Sequence, residues 1–167
     1  MVRETPLLVV MGPSATGKST VGTALAAALG VPFVDGDDLH PEANVAKMAA
    51  GVPLEDADRW PWLDRIGATL DDAAAAGGAV VACSALKRAY RDRIVAAAPA
   101  ARFVELAITE EEALRRSSAR ADHFMPPALV ASQFATLEPL ASGERGVRVD
   151  ATAPVAEIVG SALASLR

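Results

Sequence analysis

The sequence predicts an α/β fold, doubly wound, with a parallel sheet covered by helices on both faces. Short, near-continuous apolar runs recur along the chain, as strands buried on both sides require. They alternate with longer Ala-rich stretches of helical composition, the rhythm of strand–helix units in a parallel sheet. Size agrees: 167 residues, 51% hydrophobic and 22% charged, suffice for one domain with a real core and fall short of two large ones.

The elements follow in order. Leu7 to Met11 reads as the first strand, Ser19 to Leu29 as the first helix and Val31 to Val34 as the second strand. A helix from Trp62 to Ala76, stopped by Gly77 and Gly78, leads into the third strand, Ala79 to Cys83, and then a helix from Arg88 to Ala97. The fourth strand, Phe103 to Ile108, precedes helical Glu110 to Ala121 and Pro127 to Leu137. Val147 to Val149 is the fifth strand, and Val155 to Leu166 the closing helix. Two stretches, 36–61 and 121–146, fit neither the sheet nor its packing helices, and are expected over the active face.

Composition narrows the partners. Sixteen Lys or Arg against 21 Asp or Glu leave a net charge of -5, opposite to a phosphate-backbone binder, so nucleic acid is not expected. A single cysteine, Cys83, excludes an intramolecular disulfide and fits a reducing compartment; it reads as core rather than nucleophile, since nothing near it in sequence would activate it. No apolar run approaches the roughly 18 residues of a spanning helix, and the first residues lack a signal-peptide core. A soluble, cytoplasmic protein with no membrane partner is the expectation.

The chemistry begins after the first strand. Gly12-Pro13-Ser14-Ala15-Thr16-Gly17-Lys18-Ser19 fits G-x-x-x-x-G-K-[ST] between a strand and a helix, the context that motif demands. Gly12 and Gly17 let the backbone turn its N–H groups inward around phosphate oxygens, and the following helix, with Thr20 in its first turn, adds its N-terminal dipole. Lys18 supplies a point charge to the β- and γ-phosphates and the Ser19 hydroxyl is a natural magnesium ligand, so ATP and Mg2+ are the expected cofactors. No N-K-x-D string offers guanine selection. After the second strand, Asp35-Gly36-Asp37-Asp38 sets carboxylates at the edge where doubly wound sheets bind ligands. Asp35 suits a water-mediated hold on magnesium and Asp37 suits the acceptor hydroxyl; the base itself stays open between Asp35, Asp37 and solvent.

Further strings complete a pattern: Leu39-His40-Pro41 with Asn44, Lys47-Met48, Gly51-Val52-Pro53-Leu54, Asp58-Arg59 with Pro61-Trp62-Leu63, Cys83-Ser84-Ala85-Leu86-Lys87, Tyr90-Arg91-Asp92, His123-Phe124, Ser132-Gln133-Phe134 and Leu137-Glu138-Pro139. On these residues the chain resembles, over almost its whole length, the gluconate kinase family, a relative of the shikimate and nucleoside monophosphate kinases. The phosphate-loop motif is generic to nucleotide enzymes, whereas D-G-D-x-L-H-P and C-S-A-L-K are specific to that family.

The resemblance implies a P-loop nucleoside-triphosphate hydrolase fold with a five-stranded parallel sheet in the order 2-3-1-4-5. It implies a single kinase domain over 1–167, with a substrate-binding segment at about 36–61 and a mobile lid at about 115–128. The implied reaction moves the ATP γ-phosphoryl group to the 6-hydroxyl of D-gluconate, giving 6-phospho-D-gluconate and ADP in a homodimeric enzyme. Arg59 is then the choice for the gluconate carboxylate, with Asp37, His40, Asn44 and Lys47 for its hydroxyls and Ser84 and Lys87 entering the cleft from the third strand. Lys87 could instead neutralise the start of its own helix. Arg116 and Arg120 are implied as lid arginines over the nucleotide, with Arg120 on the transferring phosphates; a solvent-exposed basic pair beside Glu112 is the alternative. Asp122 stands where the family commonly has glycine. Trp60 and Trp62 anchor the following helix or stack on sugar. The competing functions are a kinase of another small hydroxy acid such as shikimate, and an ATP-sensing module without turnover.

Overall fold

Alternation along the first strand divides the core in two. In β1 (Leu7–Met11) every residue is buried, with Leu7, Val9 and Met11 on one face of the sheet and Leu8 and Val10 on the other. The computed structural model describes residues 4–119 and 127–166. Here β2 (Phe33–Asp35), β3 (Ala79–Ala82), β4 (Arg102–Ala107) and β5 (Gly146–Asp150) join β1 in a five-stranded sheet of order β2-β3-β1-β4-β5, parallel throughout. On one face α3 (Asp56–Ala76) and α4 (Arg88–Ala97) bring Leu63, Ile66 and Ile94 against Val9 and Phe103. On the other, α1 (Lys18–Leu29) and α7 (Val155–Ser165) bring Leu25 and Ile158 against Val10 and Val104. Because every strand runs the same way, the loops after β1, β2 and β3 leave from one edge of the sheet.

The element boundaries differ from the sequence reading where local pattern and tertiary pairing disagree. β2 starts at Phe33 rather than Val31 and takes in Asp35, which pairs with Ala82 of β3. β4 and β5 each reach back one residue, to Arg102 and Gly146, because pairing with their neighbours continues there. α3 begins at Asp56, six residues before Trp62. The Asp58 carboxylate accepts the Glu55 N–H at 2.9 Å as an N-terminal cap, and Pro61 costs only the bond to the carbonyl of exposed Ala57. The stretch 36–61 also contains a 3-10 turn (Gly36–Leu39) and a helix, α2 (Glu42–Ala49). Periodicity does not announce α2, since its one buried residue is polar, Asn44, while Val45 is 51% and Met48 45% exposed. α5 (Glu110–Ala119) and α6 (Pro127–Thr136) pack against each other, and the expected residues Arg120, Asp122, His123 and Phe124 lie outside the described residues.

One buried ion pair fastens the loop after β3. Arg91 of α4 donates from Nε and Nη2 to the Glu144 carboxylate at 2.7 and 3.0 Å, and from Nη1 to the Ala85 carbonyl at 2.9 Å. Ala85 is a non-glycine residue in the left-handed region, φ 43°, so its carbonyl needs that anchor. Arg91→Ala leaves the Glu144 carboxylate without its cation at a nearly buried site. It is expected to destabilise the fold by about 3–5 kcal/mol, read by denaturant unfolding; an unchanged midpoint would show that solvent replaces the guanidinium at no cost.

Candidate active site

The phosphate loop leaves β1 and closes on α1. Gly12 and Gly17 take φ of 146° and 92°, and Ala15 also lies at positive φ, 66°, so the loop curls with its amides inward. A side chain at Gly12 would press on the Leu106 carbonyl at 3.2 Å. Thr16, 1% exposed, donates its hydroxyl to the Pro13 carbonyl at 2.8 Å and braces the curl. Lys18 Nζ donates to the carbonyls of Gly12 and Pro13, both at 3.0 Å, which holds its charge over the mouth of the loop. Ser19 and Thr20 begin α1 on its exposed side.

The Asp35–Asp37 turn is fixed from three directions. Asp35 Oδ1 accepts the Asp37 N–H at 3.0 Å. A Cβ on Gly36 would stand 2.4 Å from the Ala82 carbonyl of β3, so only glycine lets the turn approach that strand. Trp62, 3% exposed, donates its indole N–H to the Gly36 carbonyl at 2.8 Å and stacks its ring on His40, centroids 4.2 Å apart. Trp62 is therefore an anchor for the turn. Asp37 is held above the ordinary carboxylate range, first by desolvation and then by the charge of Asp35, with Lys18 and His40 pulling the other way. Desolvation and the Arg59 charge lower the His40 pKa, with the Asp37 charge opposing them. Asn44 Nδ2 approaches His40 Nδ1 at 3.1 Å and can only donate, so Nδ1 accepts and the ring proton sits on Nε2.

Two cations meet beside this turn. The Arg59 guanidinium lies 5.5 Å and the Lys87 ammonium 5.6 Å from the centroid of the Tyr90 ring. Both also approach Asp56, Arg59 at 3.4 Å and Lys87 at 3.8 Å, and the Tyr90 hydroxyl donates to the same carboxylate at 2.5 Å. Asp56 and Tyr90 thus hold a charged pair drawn from α3 and from the loop after β3. Ser84, at the start of that loop, accepts the Gly12 N–H on its carbonyl at 3.2 Å, which locks the loop to the phosphate loop. Asn44 and Lys47 face α3: Asn44 Nδ2 donates to the Asp58 carbonyl at 2.9 Å, and Lys47 pairs with the Asp58 carboxylate at 2.8 Å.

On the far side of the loop a cavity of about 370 Å3 is lined by Gly17, Thr20, Arg116, Ala151, Ala153 and Ile158, among others. Arg116 donates to the Ala151 carbonyl at 2.9 Å and to Glu112 at 3.2 Å, which fixes its guanidinium at the rim. Its walls are mainly small and apolar, with backbone polar groups at the edge, as a planar base requires. Among the described residues no cluster of three or more His, Cys, Asp or Glu could hold a metal alone. Ser19 and Asp35 nevertheless fit magnesium, which keeps waters and takes phosphate oxygens as ligands; Asp35 spends Oδ1 on the Asp37 N–H, and among the described residues no donor claims Oδ2.

Residues 7–140 match the AAA domain family. The chain is 49% identical to the gluconokinase of Gluconobacter oxydans over 143 residues, 85% of this chain and 80% of that protein. It is 42% identical to the thermosensitive gluconokinase of Escherichia coli, across 90% of this chain and 81% of that one. The chain belongs to the gluconokinase family. The crystal structure of a gluconokinase from Sinorhizobium meliloti superposes with a TM-score of 0.88 at 48% identity, covering 99% of this chain and 93% of that one. The sheet order expected from the family resemblance, 2-3-1-4-5, is the order found here.

For this gluconokinase-family chain, then, one edge of the sheet gathers Lys18, Asp35, Asp37, His40, Arg59, Ser84 and Lys87 into adjoining positions. Arg116 sits apart at the cavity rim, and Arg120 lies outside the described residues. Cys83 is buried, and burial pushes its thiol up to about 12, so it is core and not a nucleophile. Sequence reasoning did not single out Asp56, Tyr90 or Gln133 as site residues. Tyr90 and Gln133 fall within the family strings, but nothing local tells a side chain that meets a distant loop from one that packs on its own helix.

Proposed function

We infer that the protein is an ATP- and magnesium-dependent gluconokinase, moving the γ-phosphoryl group of ATP to the 6-hydroxyl of D-gluconate. The observation that carries this is near half identity to a gluconokinase over 85% of the chain. The geometry supports it. Adenine enters the cavity beside Arg116, the phosphates run along the loop, and the β- and γ-oxygens meet Lys18. Ser19 Oγ and, through water, Asp35 would hold the magnesium ion, which supplies neutralising charge at those oxygens. The sugar acid lies along 36–61 and the loop after β3. Its carboxylate faces Arg59 and Lys87 and its hydroxyls face His40 and Ser84, while Asn44 and Lys47, bonded to Asp58, hold the segment 36–61 in place for them.

Asp37 orients the 6-hydroxyl and takes its proton as the new O–P bond forms and the bond from the γ-phosphorus to the bridging oxygen of ADP breaks. Arg120, which the family likeness assigns to the transferring phosphates, meets the peripheral phosphoryl oxygens, where charge grows in a loose transition state. The same reading, on the family likeness, makes the enzyme a cytoplasmic homodimer. A coupled ADP-release assay with gluconate, shikimate and related acids tests it: turnover should require gluconate, and ATP consumption indifferent to the acceptor would sink it. Arg59→Ala should raise the gluconate KM by about 10- to 100-fold, the worth of a charge-assisted contact, with the ATP KM within about twofold. An unchanged gluconate KM would place the carboxylate elsewhere.

A further inference from the structure

Gln133, midway along α6, sends its side chain to the phosphate loop, where Oε1 accepts the Ser14 N–H at 2.6 Å. Ser14 occupies a particular place in that loop. The Gly12 N–H is already given to the Ser84 carbonyl, and Pro13 has no N–H. The Ser14 amide is therefore the first loop donor a phosphate could claim. It also directly follows the two carbonyls that hold Lys18, the residue that meets the β- and γ-phosphates. The cavity suited to the base takes its loop lining from Ala15, Thr16, Gly17 and Thr20, and not from Pro13 or Ser14. On the kinase reading, a nucleotide with its base in that cavity runs its γ end toward Ser14.

We propose that Gln133 is a positioning residue that senses the γ-phosphoryl group: its amide oxygen holds the Ser14 N–H until a γ-oxygen of ATP displaces it. This rests on the kinase reading above. A neutral amide oxygen yields to a charged phosphate oxygen, because the charge-assisted bond is roughly twice as strong. ADP carries nothing to that position, so it binds with the Gln133 contact intact. Val130, fully buried one turn earlier, fixes α6, so the exchange is made by the side chain. ATP binding is thereby coupled to the Gln133 side chain, and loss of the γ-phosphoryl group restores the resting contact.

The test measures ATP and ADP dissociation constants by titration calorimetry for wild type, Gln133→Glu and Gln133→Ala, beside gluconate-dependent turnover of the wild type. Gln133→Glu keeps the size but adds a carboxylate that holds Ser14 more firmly and repels the γ-phosphoryl group. It should weaken ATP by about tenfold or more and leave ADP within about twofold. Gln133→Ala removes the competitor and should tighten ATP by about 2- to 10-fold without moving ADP. Equal shifts for both nucleotides, or no shift for either, would overturn the proposal and leave a purely structural residue. A wild type that neither binds ATP nor phosphorylates gluconate would instead overturn the kinase reading, and this inference with it. If Gln133→Glu does not fold by circular dichroism, the ATP-to-ADP ratio in Gln133→Ala decides.

Discussion

Asp37→Asn is expected to lower kcat for gluconate phosphorylation by about 10²- to 10⁴-fold, the range spanned by a lost general base, with both KM values little changed. The amide keeps the shape and can still meet the acceptor hydroxyl, but it cannot take the proton. The wild-type pH profile supplies the second reading. Desolvation and the neighbouring Asp35 charge raise the Asp37 pKa, so the carboxylate is lost on acidification earlier than an ordinary aspartate would be. The acidic limb of kcat/KM should therefore lie above the normal carboxylate range and be absent from Asp37→Asn. Stability should move the other way. A raised pKa means the folded state favours the protonated form, so ionised Asp37 opposes folding at neutral pH, and the variant should melt no lower than wild type. A kcat within a few-fold of wild type would transfer the base role to Asp35 or solvent.

Lys18→Ala is expected to abolish turnover, with a loss on the order of 10³-fold or more in kcat/KM, as for removal of a preorganised charge in a transition-state cradle. In this structure the ammonium group ties down the carbonyls of Gly12 and Pro13 at 3.0 Å each, and in the proposed reaction it also supplies charge to the β- and γ-phosphates. Lys18→Arg should not rescue it, because a planar fork cannot gather two adjacent carbonyls and a phosphate around one point. Steady-state kinetics on both variants, with calorimetric ATP titration, checks this; appreciable turnover in Lys18→Ala would mean that the loop amides alone suffice.

Much of this architecture is legible in the letters because it follows from local rules. A run such as Leu7 to Met11 has nowhere to go but the middle of a covered sheet, and G-x-x-x-x-G-K-S after it states a phosphate cradle through glycine conformations that few other residues adopt. Asp35-Gly36-Asp37 is equally local: its glycine is required by the 2.4 Å approach to Ala82. Helix α2 is not legible, since it buries an asparagine rather than an apolar stripe and is held by Asn44 and Lys47 bonding to Asp58. The start of α3 is hidden by Pro61, which reads as a boundary until the cap at Asp58 is seen.

Taken alone, the sequence determined the fold class, the phosphate loop, the acidic turn and the likeness to gluconate kinases. Each is written in spacings of a few residues, and backbone sterics and side-chain chemistry act at that range. The tertiary structure decided which distant side chains meet. It set Arg59 and Lys87 on either account of one tyrosine and one aspartate, placed Trp62 under the acidic turn and brought Gln133 to Ser14. Those meetings join elements far apart along the chain, and they exist only once the packed sheet has brought the elements together.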